Sequence, residues 1–393
     1  MFDKKIKLKL LTGIYFAATI IACASKNKQD VVTLIPERTT NPDSIIRVQI
    51  SSVGDLMCHN TQSIYAKVSA DSFNFFPCFE YVLPYLQKPD LLLGNLETTM
   101  SGKGIPYSGY PKFNTPDDFA EALKAAGFDF LVTANNHSND TGEKGILRTI
   151  NVLDKLKIHH TGTFTSQRDR DSIRIQDIKG IKIAIVSYTY GLNGYELTEG
   201  KPWLANLCDS TLIQSDINAA KKAGAEIVIV FYHFGDEYQR NPSNYQNNFV
   251  NWAIDNGADI ILGSHPHVLQ PASFFKTKNA TLDSGFIAYS MGNFISNQRD
   301  NYTDEGIIFN MHLEKNMNTG KIDLLKVDYV PTWVYKGTNP LKKLHVVFPV
   351  LNYAMFDSLT FIGNIELQEM KLAQEHTKRK MVEMTDKILP LGN

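Results

Sequence analysis

A chain of 393 residues that is 43% hydrophobic and 21% charged carries enough apolar bulk for a sizeable globular core. Its 40 basic and 41 acidic residues leave a formal charge of −1, with no extended basic run beyond the N-terminal segment, so nothing argues for a nucleic-acid partner.

The chain opens on an address. Lys4, Lys5, Lys7 and Lys9 precede an apolar run from Leu10 to Ala22, roughly 13 residues long where a membrane-crossing helix needs about 20. This predicts a removable export signal over residues 1–22. Ile20-Ile21-Ala22-Cys23 resembles the lipobox at which bacterial lipoproteins are cut and acylated. Cys23 is therefore expected to be a lipidated N-terminus that anchors the protein to a membrane of the bacterial cell envelope, periplasmic or surface-exposed; the plain alternative is a secretory signal with a chance cysteine. Residues 23–44 are polar, contain Pro36 and Pro42, and show no apolar periodicity, so they are expected to form a flexible tether. Beyond Cys23, the odd set Cys58, Cys78 and Cys208 has no close paired spacing and does not suggest a disulfide framework.

Past the tether, apolar β-branched runs alternate with amphipathic stretches. Strands are predicted over Ile46 to Val53, Asp90 to Leu93 and Phe128 to Thr133, with a helix opened by Pro116 and stopped by Gly127, and another over Glu143 to Leu156. The alternation continues with a strand at Ile181 to Tyr188, a helix at Leu212 to Ala223 and a strand at Ile227 to Tyr232. A helix at Tyr245 to Asn256 and a strand at Ile260 to Leu262 follow. From Gly285 onward the pattern turns to β, at Phe286 to Ser290, Ile307 to Leu313 and Leu324 to Val330, before a helix over Glu366 to Ile388. The fold class is layered α/β. One main domain is expected over residues 45–335, followed by a C-terminal extension, 336–393, with the terminal helix.

In α/β sheets, sites assemble where strands end. Asp55, Asn95, Asn136, His233 and His265 each fall within a few residues after a predicted strand. Carboxylates, an amide and imidazoles in those places are the donors a divalent metal requires. Asp55 alone could cap a helix, Glu97 could belong to a turn, and a lone His233 is more often a satisfied core residue. His265-Pro266-His267 is the sharpest signal, because proline restricts the backbone between two imidazoles. His159, His160, His312, His345 and His376 have no such context and are read as surface or core residues. Cys58 beside His59 is not a catalytic dyad on an extended chain, where neighbours point to opposite faces.

Val53-Gly54-Asp55-Leu56-Met57, Gly94-Asn95-Leu96-Glu97-Thr98, Ala134-Asn135-Asn136-His137 with Asp140, Tyr232-His233-Phe234-Gly235-Asp236-Glu237-Tyr238, Gly263 to Gln270, and Tyr289-Ser290-Met291-Gly292-Asn293-Phe294 occur in that order over about residues 46–300. Together they resemble the CapA family of poly-γ-glutamate capsule synthesis proteins, a branch of the calcineurin-like metallophosphoesterases. The resemblance implies a two-sheet metallophosphoesterase-like sandwich with helices on the outer faces and one or two divalent ions, Mn, Fe or Zn. It assigns Asp55, Glu97, Asn136, His233, His265 and His267 as metal ligands, and His137, oriented by Asp140, as the group that assists the leaving atom. Two departures stand out. Met57 occupies the place of a ligand histidine, and a thioether suits these ions poorly; Glu97 stands in a shifted motif where an aspartate usually bridges. One ion is therefore expected to be weakly held or absent, unless His59 compensates from the same face of an extended segment.

The family implies an anionic or amide-linked polymer as substrate and a membrane polymer synthase as partner. Lys112, Glu237, Arg240, Asn293, Gln298 and Arg299 are candidate polymer contacts, each with the plain alternative of solvated surface. Three functions follow: a metal-dependent envelope hydrolase that trims the polymer, a non-catalytic membrane-tethered subunit that binds it, and a protein whose metal only holds the fold.

Overall fold

The protein was analysed as a computed structural model that describes residues 44–392; the expected export signal, Cys23 and the tether up to residue 43 lie outside the described residues. Among the described residues the strands fall into one sheet of nine and one of six.

The chain enters the larger sheet with β1 (Ile45–Leu56), passes through short helices α1 (Asn60–Ala66) and α2 (Leu83–Leu86), and returns with β2 (Leu91–Leu96). Helix α3 (Asp117–Ala126), β3 (Phe130–Val132), α4 (Gly142–Leu156) and β4 (His159–Thr161) follow, and β1 to β4 run parallel in the order of their numbers. After a single turn of helix, α5 (Gln167–Arg170), the smaller sheet is built from β5 (Ile175–Ile178), β6 (Ile181–Thr189), α6 (Ser210–Lys222), β7 (Ile227–His233) and α7 (Asn244–Asn256), then β8 (Ile260–Ser264), β9 (Ala272–Lys276) and β10 (Ser284–Ala288). Strands β6, β7, β8 and β10 are parallel, with antiparallel edges β5 and β9. The chain then returns to the first sheet as β11 (Asn293–Ile295) beside β1, and continues through β12 (Glu305–Asn316), β13 (Ile322–Lys336), β14 (His345–Pro349), α8 (Asn364–Met381) and β15 (Leu389–Pro390).

Successive strand residues point to opposite faces, and the two apolar sets are used separately. Leu91, Leu93, Phe130 and Val132 share one core with Ile183, Ile185, Ile229 and Phe231 of the facing sheet. On the outer face Leu92 and Leu131 join Phe119, Leu123 and Leu153 of α3 and α4. Val186, Val228, Val230 and Ile261 join Ile213, Ile217, Val250 and Ala253 of α6 and α7. Each such fully buried side chain contributes roughly 1.5–3 kcal/mol. The result is a two-sheet α/β sandwich with helices on its outer faces. Helix ends follow local chemistry: Asp209 and Ser243 accept N–H bonds at the starts of α6 and α7, and Gly127 and Gly257 take left-handed conformations after α3 and α7.

The C-terminal region differs from the sequence pattern. Strand β13 runs to Lys336 and β14 pairs with it, while Met370 and Ala373 of α8 share a core with Val334, Val346 and Phe348. Residues 336–392 are thus joined to the main sheet, and the polar stretch after Lys336 is the turn between antiparallel strands. Helix α8 ends at Met381, short of the expected Ile388, because Ile388 turns into the inter-sheet core and Leu389 pairs with β13.

A half-buried hydrogen-bonded cluster docks α8. His376 Nδ1 lies 2.6 Å from Glu305 Oε1, and the second Glu305 oxygen has no hydrogen-bond partner among the described residues. Burial, reinforced by Asp304 and opposed by Arg240 and Arg379, pushes the Glu305 carboxyl up to about 8, and burial holds His376 below its ordinary value. A carboxyl raised in the folded state keeps a proton that the unfolded chain has already released, so stability falls as pH rises from about 4.5 to 8. Glu305→Gln is expected to flatten this decline, with an advantage on the order of 2 kcal/mol at pH 8 that disappears below pH 5. Urea titrations across that range measure it.

Candidate metal centre

The carboxyl ends of β1, β2 and β3 meet those of β6, β7 and β8 at one edge of the sandwich. The segment 289–292 crosses between the sheets there: Met291 N donates to Gly263 O and Asp55 N to Gly292 O, each at 3.0 Å. Polar residues at strand ends far apart in sequence are thereby brought face to face.

Asp55, Glu97, Asn136, His233, His265 and His267 converge and are all buried. Ligand atoms of Glu97, His233 and His265 lie within 4.8 Å of one another, as do those of Asp55, Glu97 and His267. His233 Nε2 is 2.8 Å from Asn136 Oδ1 and 3.6 Å from Glu97 Oε1; His267 Nδ1 is 3.2 Å from Asp55 Oδ2 and its Nε2 is 3.9 Å from Glu97 Oε1. Both Glu97 oxygens and His265 Nδ1 are buried without a hydrogen-bond partner among the described residues. Buried carboxylate oxygens with no donor cost several kcal/mol, and a divalent cation bound through N and O donors would satisfy them. The donor set fits such an ion.

Neighbouring groups orient these donors. Asn95 Nδ2 donates to Asp55 Oδ1 at 2.8 Å and lies 3.1 Å from His233 Nδ1, which Ser264 Oγ also approaches at 3.0 Å. Asn135 Nδ2 donates to Asn95 Oδ1 and to Leu96 O. The Asn293 amide is fixed by donating to Gln298 and Thr303, which turns its oxygen to His267 Nδ1 at 3.0 Å and leaves His267 Nε2 as the nitrogen facing Glu97. His265 (φ 95°), His267 (φ 59°) and Tyr238 (φ 64°) all hold left-handed backbones. Such conformations cost on the order of 1–3 kcal/mol each and concentrate at functional sites.

Electrostatics follow from burial. Desolvation, helped by the Asp55 carboxylate, pushes the Glu97 carboxyl well above the ordinary range. Burial also raises Asp55, but the hydrogen bond and charge of His267 and the Asn95 amide outweigh it and hold this carboxyl below its usual value. Burial, with neighbouring imidazoles adding to it, holds His233 well below its ordinary value and His265 at about 3. Both rings are therefore neutral, the form that binds metals.

His137 lies alongside. Its Nδ1 is 2.8 Å from Asp140 Oδ2, an oxygen that also accepts from Phe113 N at 2.7 Å, and the Phe113 ring packs edge-on 4.6 Å from the imidazole. Asp140 thus fixes one ring nitrogen and leaves Nε2 as the other.

The remaining candidates scatter. Glu237 is exposed but within reach of His265 and His267. Asn293 contacts His267. Arg240 lies elsewhere: its guanidinium sits 4.1 Å over the Tyr302 ring and its carbonyl accepts from Lys380, within the cluster that docks α8. Lys112 lies 4.6 Å over Tyr195, Gln298 holds Asn293, and Arg299 Nη1 donates to Gln298 O. His59 does not take the place of the missing histidine. It caps α1, and its Nδ1 receives Asn297 N–H at 3.3 Å. Burial pushes the Cys58 thiol up to about 12, so it is no nucleophile. Sequence reasoning missed Tyr190, Asn193 and Ser264. Ser264 could have been found as the residue before His265; Tyr190 and Asn193 have no motif.

Residues 49–298 match the family described as bacterial capsule synthesis protein PGA_cap. The capsule biosynthesis protein CapA of Bacillus anthracis is 28% identical over 96% of this chain and 88% of its own length. The PGA biosynthesis protein CapA of Bacillus subtilis is 30% identical over 75% of this chain and 74% of its own. Among solved structures, the calcineurin-like phosphoesterase YfkN of Bacillus subtilis aligns at 12% identity and a TM-score of 0.39, over 85% of this chain and 98% of that one. The family match spans every residue of the centre, and the chain belongs to the CapA family of bacterial capsule synthesis proteins.

Proposed function

We propose that this protein is a metal-dependent hydrolase of the cell envelope that trims or releases a capsule polymer, linked through amides as in poly-γ-glutamate or through phosphoesters. The observation that carries this reading is the convergence of Asp55, His233, His265 and His267 on Glu97, a buried acid whose oxygens have no hydrogen-bond partner among the described residues. Asp55, Glu97, Asn136, His233, His265 and His267 would hold one or two ions of Mn, Fe or Zn. Such ions polarise the scissile group and make water a nucleophile near neutral pH. His137, held by Asp140, stands to pass a proton from Nε2 to the departing oxygen or nitrogen. Lipid on Cys23 would hold the protein at a membrane, near a polymer synthase.

A second reading, a tethered subunit that binds the polymer without cutting it, is favoured by Met57. This residue is buried at the end of β1 and offers only a thioether where family resemblance expects imidazole.

Metal analysis and two substrates separate the readings. Wild-type protein is expected to carry Mn, Fe or Zn and to cleave an aryl phosphodiester or a γ-glutamyl oligomer, while His265→Ala retains less than about one tenth of the metal. Metal kept by the variant, with equal turnover in both proteins, would eliminate the hydrolase. Metal-dependent polymer binding without cleavage selects the second reading.

A further inference from the structure

Tyr190 directly follows β6, and its N–H donates to His233 O at 2.9 Å, which fixes its position over the centre. Its ring lies 4.4 Å from that of His265, tilted by 35°, and 6.4 Å from that of His233, close to parallel at 17°. The residue is 40% exposed, so it covers the imidazoles while still reaching solvent.

The amide beside it is oriented by its own partners. Asn136 Oδ1 faces His233 Nε2 and its amide nitrogen donates to Asn193 Oδ1 at 3.2 Å, with the Tyr190 hydroxyl alongside this amide. A phenol at that place brings one O–H to donate. Tyr238 is the comparison: its ring sits 6.1 Å from His267, with its hydroxyl beside the exposed Glu237 carboxylate.

We propose that Tyr190 is the oxyanion donor of this centre, its O–H directed at an oxygen of a tetrahedral phosphoryl or acyl group seated beside His265 and Asn136. The assignment rests on the hydrolase reading above. A fixed donor aimed at developing charge acts chiefly on the transition state. Held between the His265 ring and the Asn136 amide, this phenol needs no rearrangement to reach its acceptor. Because it only half excludes water, its contribution is expected at the low end for such donors, about tenfold to a hundredfold in kcat.

Orthophosphate serves as the oxyanion probe, titrated calorimetrically into the full-length protein loaded with Mn²⁺, for wild type, Tyr190→Phe and Tyr238→Phe. Turnover is followed in parallel on an aryl phosphodiester and on a γ-glutamyl anilide, which distinguishes phosphoryl from acyl oxygen. Tyr190→Phe preserves ring packing, so metal content and melting temperature should match wild type. Phosphate affinity should fall about tenfold, and kcat on the preferred substrate tenfold or more with KM nearly constant. Tyr238→Phe should weaken phosphate less. Equal affinity and kcat in wild type and Tyr190→Phe overturn the proposal, and so does a wild type that binds no phosphate at millimolar concentration. A wild type that binds phosphate and cleaves neither substrate refutes the hydrolase, while the affinity comparison still decides what Tyr190 does.

Discussion

Glu97→Gln is expected to yield a protein that folds at least as well as wild type yet no longer holds its divalent cation. Glu97 directly follows the short strand β2, with Asp55, His233, His265 and His267 around it and no hydrogen-bond donor for either oxygen among the described residues. Burial and the Asp55 carboxylate both oppose its ionisation. Without metal, a charge on this side chain costs at least about 1–3 kcal/mol, and glutamine, which cannot ionise, avoids it at nearly constant volume. With metal the sign reverses, because a neutral amide supplies neither the charge nor the second oxygen that a carboxylate brings to a hard cation. Added Mn²⁺ should therefore raise the melting temperature of wild type, by an amount that reflects about 2.7 kcal/mol at a hundredfold excess over Kd. In Glu97→Gln the increment should vanish while the metal-free melting temperature stays equal or rises. Paired thermal scans with and without Mn²⁺ give both quantities; an undiminished increment in the variant would remove Glu97 from the ligand set.

The donors were legible in the sequence because parallel α/β topology puts strand ends at one edge. Asp55, Asn95, His233 and His265 each follow an apolar run, so their grouping needed only the alternation of strand and helix. The parts that were not legible depend on conformation rather than pattern. His59 shares the face of Asp55 and Met57 only on an extended chain. Strand β1 ends at Leu56, and His59 turns away to cap α1. Arg240 follows the His233 motif closely in sequence, but its guanidinium packs on Tyr302 beside α8. Tyr190 and Asn193 reach the centre on a loop in which Asn193 is left-handed, φ 50°, and no periodicity encodes that. The terminal helix was recognised by its apolar face, while its true end was set by Ile388 finding the inter-sheet core.

The two sheets are held in register at this edge by backbone contact so close that one methyl group should disrupt it. A Cβ on Gly54 would lie 1.9 Å from Gly292 O and 3.0 Å from the carbonyl carbons of Met291 and Gly292. These are main-chain atoms of the crossing segment, so no rotamer change relieves the overlap. The same Gly292 carbonyl accepts Asp55 N–H, and the next residue, Asn293, holds His267. Gly263 makes the matching approach from the smaller sheet, where a Cβ would lie 2.0 Å from Tyr289 O. Gly54→Ala must therefore push β1 off the crossing segment, and the displacement passes directly to Asp55 and His267. The expected cost is roughly 3 kcal/mol or more, with a melting temperature lower by several degrees and weakened metal binding. Gly104→Ala, where a Cβ meets nothing within 4 Å among the described residues, should stay within about 0.5 kcal/mol of wild type and serves as the reference substitution. Melting curves for the two variants, each taken with metal analysis, make the comparison. A Gly54→Ala protein that melts and binds metal like wild type would mean that the crossing segment yields freely and that the ligands are positioned by their own strands alone.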